Sequence, residues 1–153
     1  MDKIDRKILE YLLQDARTPF SEIAIHVGVS VDTVSKRYSK MKRTYLIQSA
    51  TLFLDMSRDS TGLIACLNIT AGTGHSSEIE DKLRDTKEVF LLGKTFGAYD
   101  FFALVTVSDI RSLDELRDRI AGIHDVKSCD VSILTTGLSL IPSNQLPVLT
   151  KAA

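Results

Sequence analysis

The chain has 153 residues, of which 44% are hydrophobic and 25% charged, with a formal net charge of -1. That leaves room for one ordinary domain or two small ones with real cores, and excludes a disordered or fibrous chain. No run approaches the roughly 18 apolar residues that a membrane span needs, and no basic region followed by an apolar stretch opens the chain, so the protein is expected in the cytoplasm, away from the membrane.

Taken in order, Asp2 is placed to cap a first helix whose Ile4, Ile8, Leu9, Leu12 and Leu13 form one apolar stripe, with Asp5 near the positive end of the helix dipole. This helix should end near Asp15 to Thr18 and supply a hydrophobic floor. Thr18-Pro19 then reads as an N-cap with proline in the first turn, and Phe20, Ile23, Ala24 and Val27 as the buried side of a short second helix. Gly28 can close that helix by taking the left-handed conformation. Ser30 can cap a third helix, in which Val31, Val34, Tyr38 and Met41 share a face that must be buried.

The opposite face of the third helix carries Asp32, Thr33, Ser35, Lys36, Arg37, Ser39, Lys40, Lys42 and Arg43. From Lys36 to Arg43 there are five basic residues and no acidic one. A charge run standing alone is an ordinary solvated helix face. Two short helices joined by a turn, the second one basic, make a helix-turn-helix, and the run then reads as a surface for double-stranded DNA. The candidate DNA-binding residues are Ser30, Asp32, Thr33, Ser35, Lys36, Arg37, Lys40 and Arg43, with Asp32, Ser35 and Lys36 nearest the bases and Arg37, Lys40 and Arg43 on phosphates. The charge is distributed to match. Residues 1–50 hold nine Lys or Arg against six Asp or Glu, and the remainder ten against fourteen.

After Arg43 the run Leu46 to Leu54 turns β-like, as a wing and then an arm, and the polar stretch Asp55 to Gly62 breaks the pattern. The expected layout is therefore a winged helix-turn-helix domain over residues 1–49, a linking strand and hinge over 50–62, and a second domain over 63–153. In that second domain the pattern predicts strand Leu63 to Thr70, a turn at Gly72-Thr-Gly74, and helix Ser77 to Arg84 with Ser77 and Glu80 at capping-box spacing. Strand Val89 to Thr95, a turn at Gly97, strand Tyr99 to Val107, helix Arg111 to Gly122 and strand Val126 to Thr136 follow. The order β-α-β-β-α-β is the ferredoxin-like split unit, so the fold class is α+β. Two helices cover only one sheet face. The other would still show Phe102 and Leu104 beside Ile64 and Cys66, and a second copy of the same sheet is its simplest cover.

Cys66 and Cys129 lie far apart in apolar runs, and His26, His75 and His124 have no ligand-like spacing to them or to one another. No metal and no other cofactor is expected. Gly72-Thr-Gly-His75 lacks the spacing and the lysine of a phosphate loop. Tyr99 and Asp100 have the side chains of a catalytic pair, but beside a glycine turn they fit binding or structure better. The turn amides suit a carboxylate and Asp100 suits an ammonium, which together are the two charged ends of an amino acid; a plain hairpin with a solvated aspartate is the competing reading.

The segments Asp2-Lys-Ile-Asp-Arg-Lys-Ile-Leu-Glu-Tyr-Leu12, Asp15-Ala-Arg17, Glu22-Ile-Ala24, Ser30 to Arg37 and Gly97-Ala-Tyr-Asp100 resemble the Lrp/AsnC family of bacterial and archaeal transcription regulators, across nearly the whole chain. The resemblance implies a winged helix-turn-helix head, a linking strand, and a ferredoxin-like (RAM-type) βαββαβ sandwich that forms homodimers and often octamers. It also implies a small effector, commonly an amino acid, bound between dimers near Thr95, Gly97, Ala98, Tyr99 and Asp100. Two positions depart from the family pattern. Thr44-Tyr45-Leu46 stands where a glycine usually follows the recognition helix, and Phe96 stands where a smaller residue is usual and could narrow or fill the effector pocket. An architectural DNA-binding protein without effector is the alternative reading. A haem-pathway decarboxylase of the same architecture fits less well, because the arginine-rich segment those enzymes share is replaced here by Ile47-Gln-Ser-Ala50.

Overall fold

The computed structural model describes residues 1–51, 62–72, 74, 76–135, 138 and 141. They divide into two compact units, one of three helices and one of four strands with two helices.

In the first unit, α1 (Lys3–Gln14) begins with a reciprocal capping box. Asp2 Oδ1 accepts from the amides of Ile4 (2.8 Å) and Asp5 (2.9 Å), while Asp5 Oδ2 accepts from the amide of Asp2 (3.1 Å). Amides that a helix start leaves unpaired are thereby satisfied. α2 (Phe20–Val27) starts differently from expectation: Pro19 is the cap residue, not part of the first turn, and the Thr18 hydroxyl donates back to Asp15 O (2.8 Å). Gly28 closes α2 at φ 76, as the sequence suggested. α3 (Val31–Arg43) is capped by Ser30. The three helices bury Ile8, Leu9, Ile23, Ala24, Val34 and Met41 against one another. Val31, expected on the buried face, is 48% exposed because it precedes the turn at which α3 meets its neighbours.

The end of α3 resolves the missing glycine. Tyr45 donates to Lys42 O (3.1 Å) and Leu46 to Met41 O (3.0 Å), the paired bonds of a Schellman motif, with Tyr45 itself at φ 57. A tyrosine therefore holds the left-handed position that glycine normally fills. Residues 46–51, expected to begin the wing, are turn and coil, and the rest of the expected wing and the hinge lies outside the described residues.

The second unit is a four-stranded antiparallel sheet in the order β2-β3-β1-β4, built from β1 (Leu63–Ala71), β2 (Val89–Lys94), β3 (Phe101–Val107) and β4 (Val126–Ile133). α4 (Ser76–Arg84) and α5 (Ile110–Ala121) share one core with it. Ala65, Leu67, Ile69, Phe101, Ala103, Val105 and Val107 meet Ile79 and Leu83 from α4 and Leu113, Leu116 and Ile120 from α5. Several boundaries move. α4 begins at Ser76, which places Ser77 inside its first turn and removes the expected Ser77–Glu80 capping box. β3 begins at Phe101, leaving Tyr99 and Asp100 in the preceding turn, and β4 stops at Ile133. Asp109, unremarked in the sequence, caps α5 by accepting from the Ser112 amide (2.7 Å).

On the sheet face turned away from the helices, the register sets Ile64 beside Thr106, Cys66 beside Leu104, and Leu104 beside Leu91. Leu91 on this face is 40% exposed, and Phe90, at the register irregularity before it, is 43% exposed. The next row is more polar: Gly93, Phe102, Asn68 and Asp130 pair across all four strands. Gly93 admits no side chain, because the Phe102 ring occupies the space a Cβ would take. Both cysteines are free and half-buried, and burial, with Asp130 adding to it, pushes the Cys129 thiol up to about 11.

The left-handed Tyr45 gives a stability prediction. A side chain there costs about 1–2 kcal/mol, a glycine costs about 0.5–1 kcal/mol through the unfolded chain, and the Tyr45 ring is mostly exposed and so loses little burial. Tyr45→Gly is expected to stabilise the helical unit by about 1 kcal/mol, with Tyr45→Asn between, read as a rise in the thermal midpoint of the full chain. A fall in that midpoint would show that the ring has a packing role.

Candidate nucleic-acid interface and effector turn

The cap of α3 engages two of the expected DNA-binding side chains. Ser30 Oγ accepts from the Thr33 amide (3.2 Å) and shares a hydrogen bond with Thr33 Oγ1 (2.8 Å). Beyond the cap, Asp32, Lys36, Ser39, Lys40 and Arg43 stand exposed, and Ser35 is half-buried. Lys36 Nζ lies 2.7 Å from Asp32 Oδ2, one helical turn back, and that carboxylate raises the Lys36 pKa. Lys42 Nζ sits 5.9 Å from the centre of the Tyr38 ring, which in turn packs at 5.1 Å on Phe20. Among the described residues Lys40, Lys42 and Arg43 have no carboxylate partner.

Arg37, expected on a phosphate, is placed otherwise. Its Nη1 lies 2.5 Å from Asp2 Oδ2 and 2.8 Å from Asp5 Oδ1, with its side chain only 28% exposed. Both carboxylates belong to the capping box of α1, so one guanidinium ties the start of α1 to the middle of α3. The hydrogen bond from the Asp5 amide, reinforced by Arg37, holds the Asp2 carboxyl below its usual range. A second tie joins α1 to α2, where Tyr11 and His26 stack at 5.2 Å with 17° between their planes. The sequence read Asp2 as a cap and Arg37 as basic surface. A separation of 35 residues hid that they are partners.

The five expected effector residues lie together in the β2–β3 turn. Thr95 donates from its amide to Asp100 O (2.8 Å) and from its hydroxyl to Tyr99 O (2.6 Å), which closes the turn. Asp100 donates from its amide to Ile69 O (2.9 Å), and its Oδ2 accepts from the Ala71 amide (2.8 Å), so the carboxylate stitches the turn to the end of β1. The amides of residues 96–99 donate to no partner among the described residues. Phe96 is fully exposed at the tip and fills no pocket within the single chain. Nearby, Lys94 Nζ bonds Ser76 Oγ (2.5 Å) at the start of α4, and lies 5.7 Å from the centre of the Phe101 ring. Among the described residues no three His, Cys, Asp or Glu side chains gather as metal ligands, and no helix is long and apolar enough to cross a membrane.

Residues 1–42 match the AsnC-type helix-turn-helix domain, and residues 64–138 match the Lrp/AsnC ligand binding domain. An HTH-type transcriptional regulator of Pyrococcus furiosus is 34% identical over 137 residues, which cover 89% of this chain and 93% of that one. The solved structure of Escherichia coli AsnC superposes with a TM-score of 0.73 at 27% identity, covering 93% of this chain and 98% of the other. A transcriptional regulator of Neisseria meningitidis, solved as a complex with L-Met, superposes with a TM-score of 0.75 at 19% identity, covering 94% and 95%.

The Arg37 tie separates two kinds of basic residue by experiment. Lys40→Ala is expected to lower the slope of log affinity against log salt by about 1, the mark of a lost phosphate contact. Arg37→Ala is expected to weaken DNA binding and lower the melting temperature while leaving that slope unchanged. Acid should act on the same tie. The folded Asp2 pKa lies below its unfolded value, so its contribution is present above the unfolded pKa and disappears as pH falls through the folded one. Asp2→Asn should therefore flatten the acid limb of a thermal-melt series against pH.

Proposed function

This chain belongs to the Lrp/AsnC family of transcriptional regulators, and on that premise we propose that α3 enters the major groove and that an amino acid bound at the β2–β3 turn regulates the outcome. The observation that carries the DNA-binding part is the outer face of α3. It presents Lys36, Lys40, Lys42 and Arg43 to solvent on a helix whose start is capped and whose middle is tied to α1. A positive, exposed face on a rigidly held helix has what a groove-reading element needs. Ser30 and Thr33 shape the helix start, Asp32, Ser35 and Lys36 lie toward the bases, and Lys40 and Arg43 take phosphates.

The body is proposed to form a homodimer, sheet against sheet. Leu91, Phe102 and Leu104 leave apolar side chains at least partly exposed on the sheet face opposite the helices, and a second copy of the same face related by a two-fold axis would bury them. Higher assembly into an octamer or another set of dimers would bring β2–β3 turns near one another. At each turn the amides of residues 96–99 suit a carboxylate and Asp100 suits an ammonium, in keeping with the L-Met complex of the Neisseria relative. Asp100 gives one oxygen to the Ala71 amide, so it is built into the fold as a binding group rather than poised as a catalytic base. The reading places the protein in the cytoplasm and assigns it no enzymatic step.

Calorimetry of the full chain with the twenty amino acids tests the effector. One of them should release heat and shift DNA affinity by about 1–3 kcal/mol, and DNA should shift that ligand's affinity by the same factor. Asp100→Asn keeps an acceptor for the Ala71 amide while removing the charge, so it is expected to abolish the heat without unfolding the sheet. Heat that persists undiminished in Asp100→Asn moves the site elsewhere. No heat from any amino acid, with DNA binding intact, favours the architectural alternative.

A further inference from the structure

The exposed face of α3 contains one group that a phosphate-binding surface should avoid. Asp32 lies in the first turn, its side chain 71% exposed, on the face that carries Lys40 and Arg43. Its position near the positive end of the helix dipole and its pairing with Lys36 account for its tolerance by the helix. They do not account for its place on this face. Neighbouring Val31 is 48% exposed, so the domain leaves this end of the helix uncovered on the side facing solvent.

The chemistry of the pair suits a base edge. An ionised carboxylate only accepts and an ammonium only donates, and here the two sit 2.7 Å apart. In the major groove a G·C pair presents the cytosine N4 donor directly beside the guanine O6 and N7 acceptors. An A·T pair also places a donor beside an acceptor, but its two acceptors, adenine N7 and thymine O4, lie on opposite sides of the N6 donor, so an ammonium reaches only one of them, whereas guanine sets O6 and N7 side by side. The reversed C·G pair sets like against like.

We infer that Asp32 and Lys36 together read one G·C base pair in each half-site, with Asp32 accepting from cytosine N4 and Lys36 donating to guanine O6 and N7. The inference rests on the placement of α3 proposed above. Because the two side chains are already paired in the free protein, on unmatched DNA they stay closed and nearly neutral, and a matched base pair opens them to two new partners. Discrimination against other base pairs at that position should be about tenfold to hundredfold.

The test is selection of the full-length protein against a random double-stranded library, followed by affinity measurements on the recovered site. The wild type should recover a G·C pair at one fixed position per half-site. Asp32→Ala and Lys36→Ala should each relax preference at that same position alone, and Asp32→Ala should also bind random DNA more tightly. Replacing the guanine by 7-deazaguanine, which lacks N7, should weaken the wild type and leave Lys36→Ala unaffected, a response that a merely helix-stabilising pair would not give. Variants that weaken all sequences equally with an unchanged recovered motif overturn the inference while leaving DNA binding by α3 in place. A wild type that binds DNA but recovers no preferred sequence overturns the inference and favours the architectural alternative, and one that binds no DNA overturns both.

Discussion

The geometry of the helical unit depends on the contact between Arg37 and two carboxylates at the start of α1. Asp2 and Asp5 are first of all helix-capping groups, each bonded to the other's amide. Their outer oxygens then converge on a single guanidinium. Both contacts run through one nitrogen, Nη1, and the guanidinium keeps its charge at every pH at which the protein is folded, so the tie depends on the carboxylates alone. With Ile8, Ile23 and Val34 fully buried beneath, the apolar contacts bring the helices together and the charged tie fixes how α3 is held against α1. A small three-helix unit has little core to spare, so the orientation of its reading helix is well served by a long-range polar contact.

The second unit solves a different problem. Its β-α-β-β-α-β order puts both helices on one side, and the core they form with β1 and β3 is dense and entirely apolar. The cost falls on the other side. There the residues grade from Ile64, Leu91 and Leu104 toward Asn68 and Asp130, and the turn with Asp100 lies beyond the polar end. The apolar zone proposed for assembly and the polar end beside the proposed effector turn thus share one surface, and if both proposals hold, a ligand at one end would lie on the same sheet as the contact at the other. The Phe102 ring, lying over Gly93, marks where one zone passes into the other.

Much of this was legible in the sequence because it is local. The spacing of Ile4, Ile8 and Leu9, the glycine at position 28, Ser30 before an amphipathic run, and strand alternation from Phe101 to Val107 each depend on neighbours within a few residues. What stayed hidden needed distance or competition. The Arg37 tie joins residues more than thirty positions apart, so its cation was counted as surface. Ser77 had capping-box spacing to Glu80, but the helix began one residue earlier. Val31 satisfied the helical period yet lies before the point where α3 reaches the core. Asp100 looked like a free ligand group, and only the fold shows that Ala71 claims one of its oxygens.

The pairing of charges along α3 bears on how the protein would find its sites. Five cations lie between Lys36 and Arg43, but one is neutralised by Asp32 and another is held by two carboxylates. Among the described residues Lys40, Lys42 and Arg43 have no carboxylate partner, and Lys40 and Arg43 are the two proposed for phosphates. Sequence-independent attraction scales with the number of neutralised phosphates, so on the proposed contacts a single head would grip random DNA lightly. In the proposed homo-oligomer, long occupancy would come from several heads engaged at once, because rebinding by one head while another holds raises its effective concentration. Residence at a promoter would then be a property of that assembly rather than of the helix.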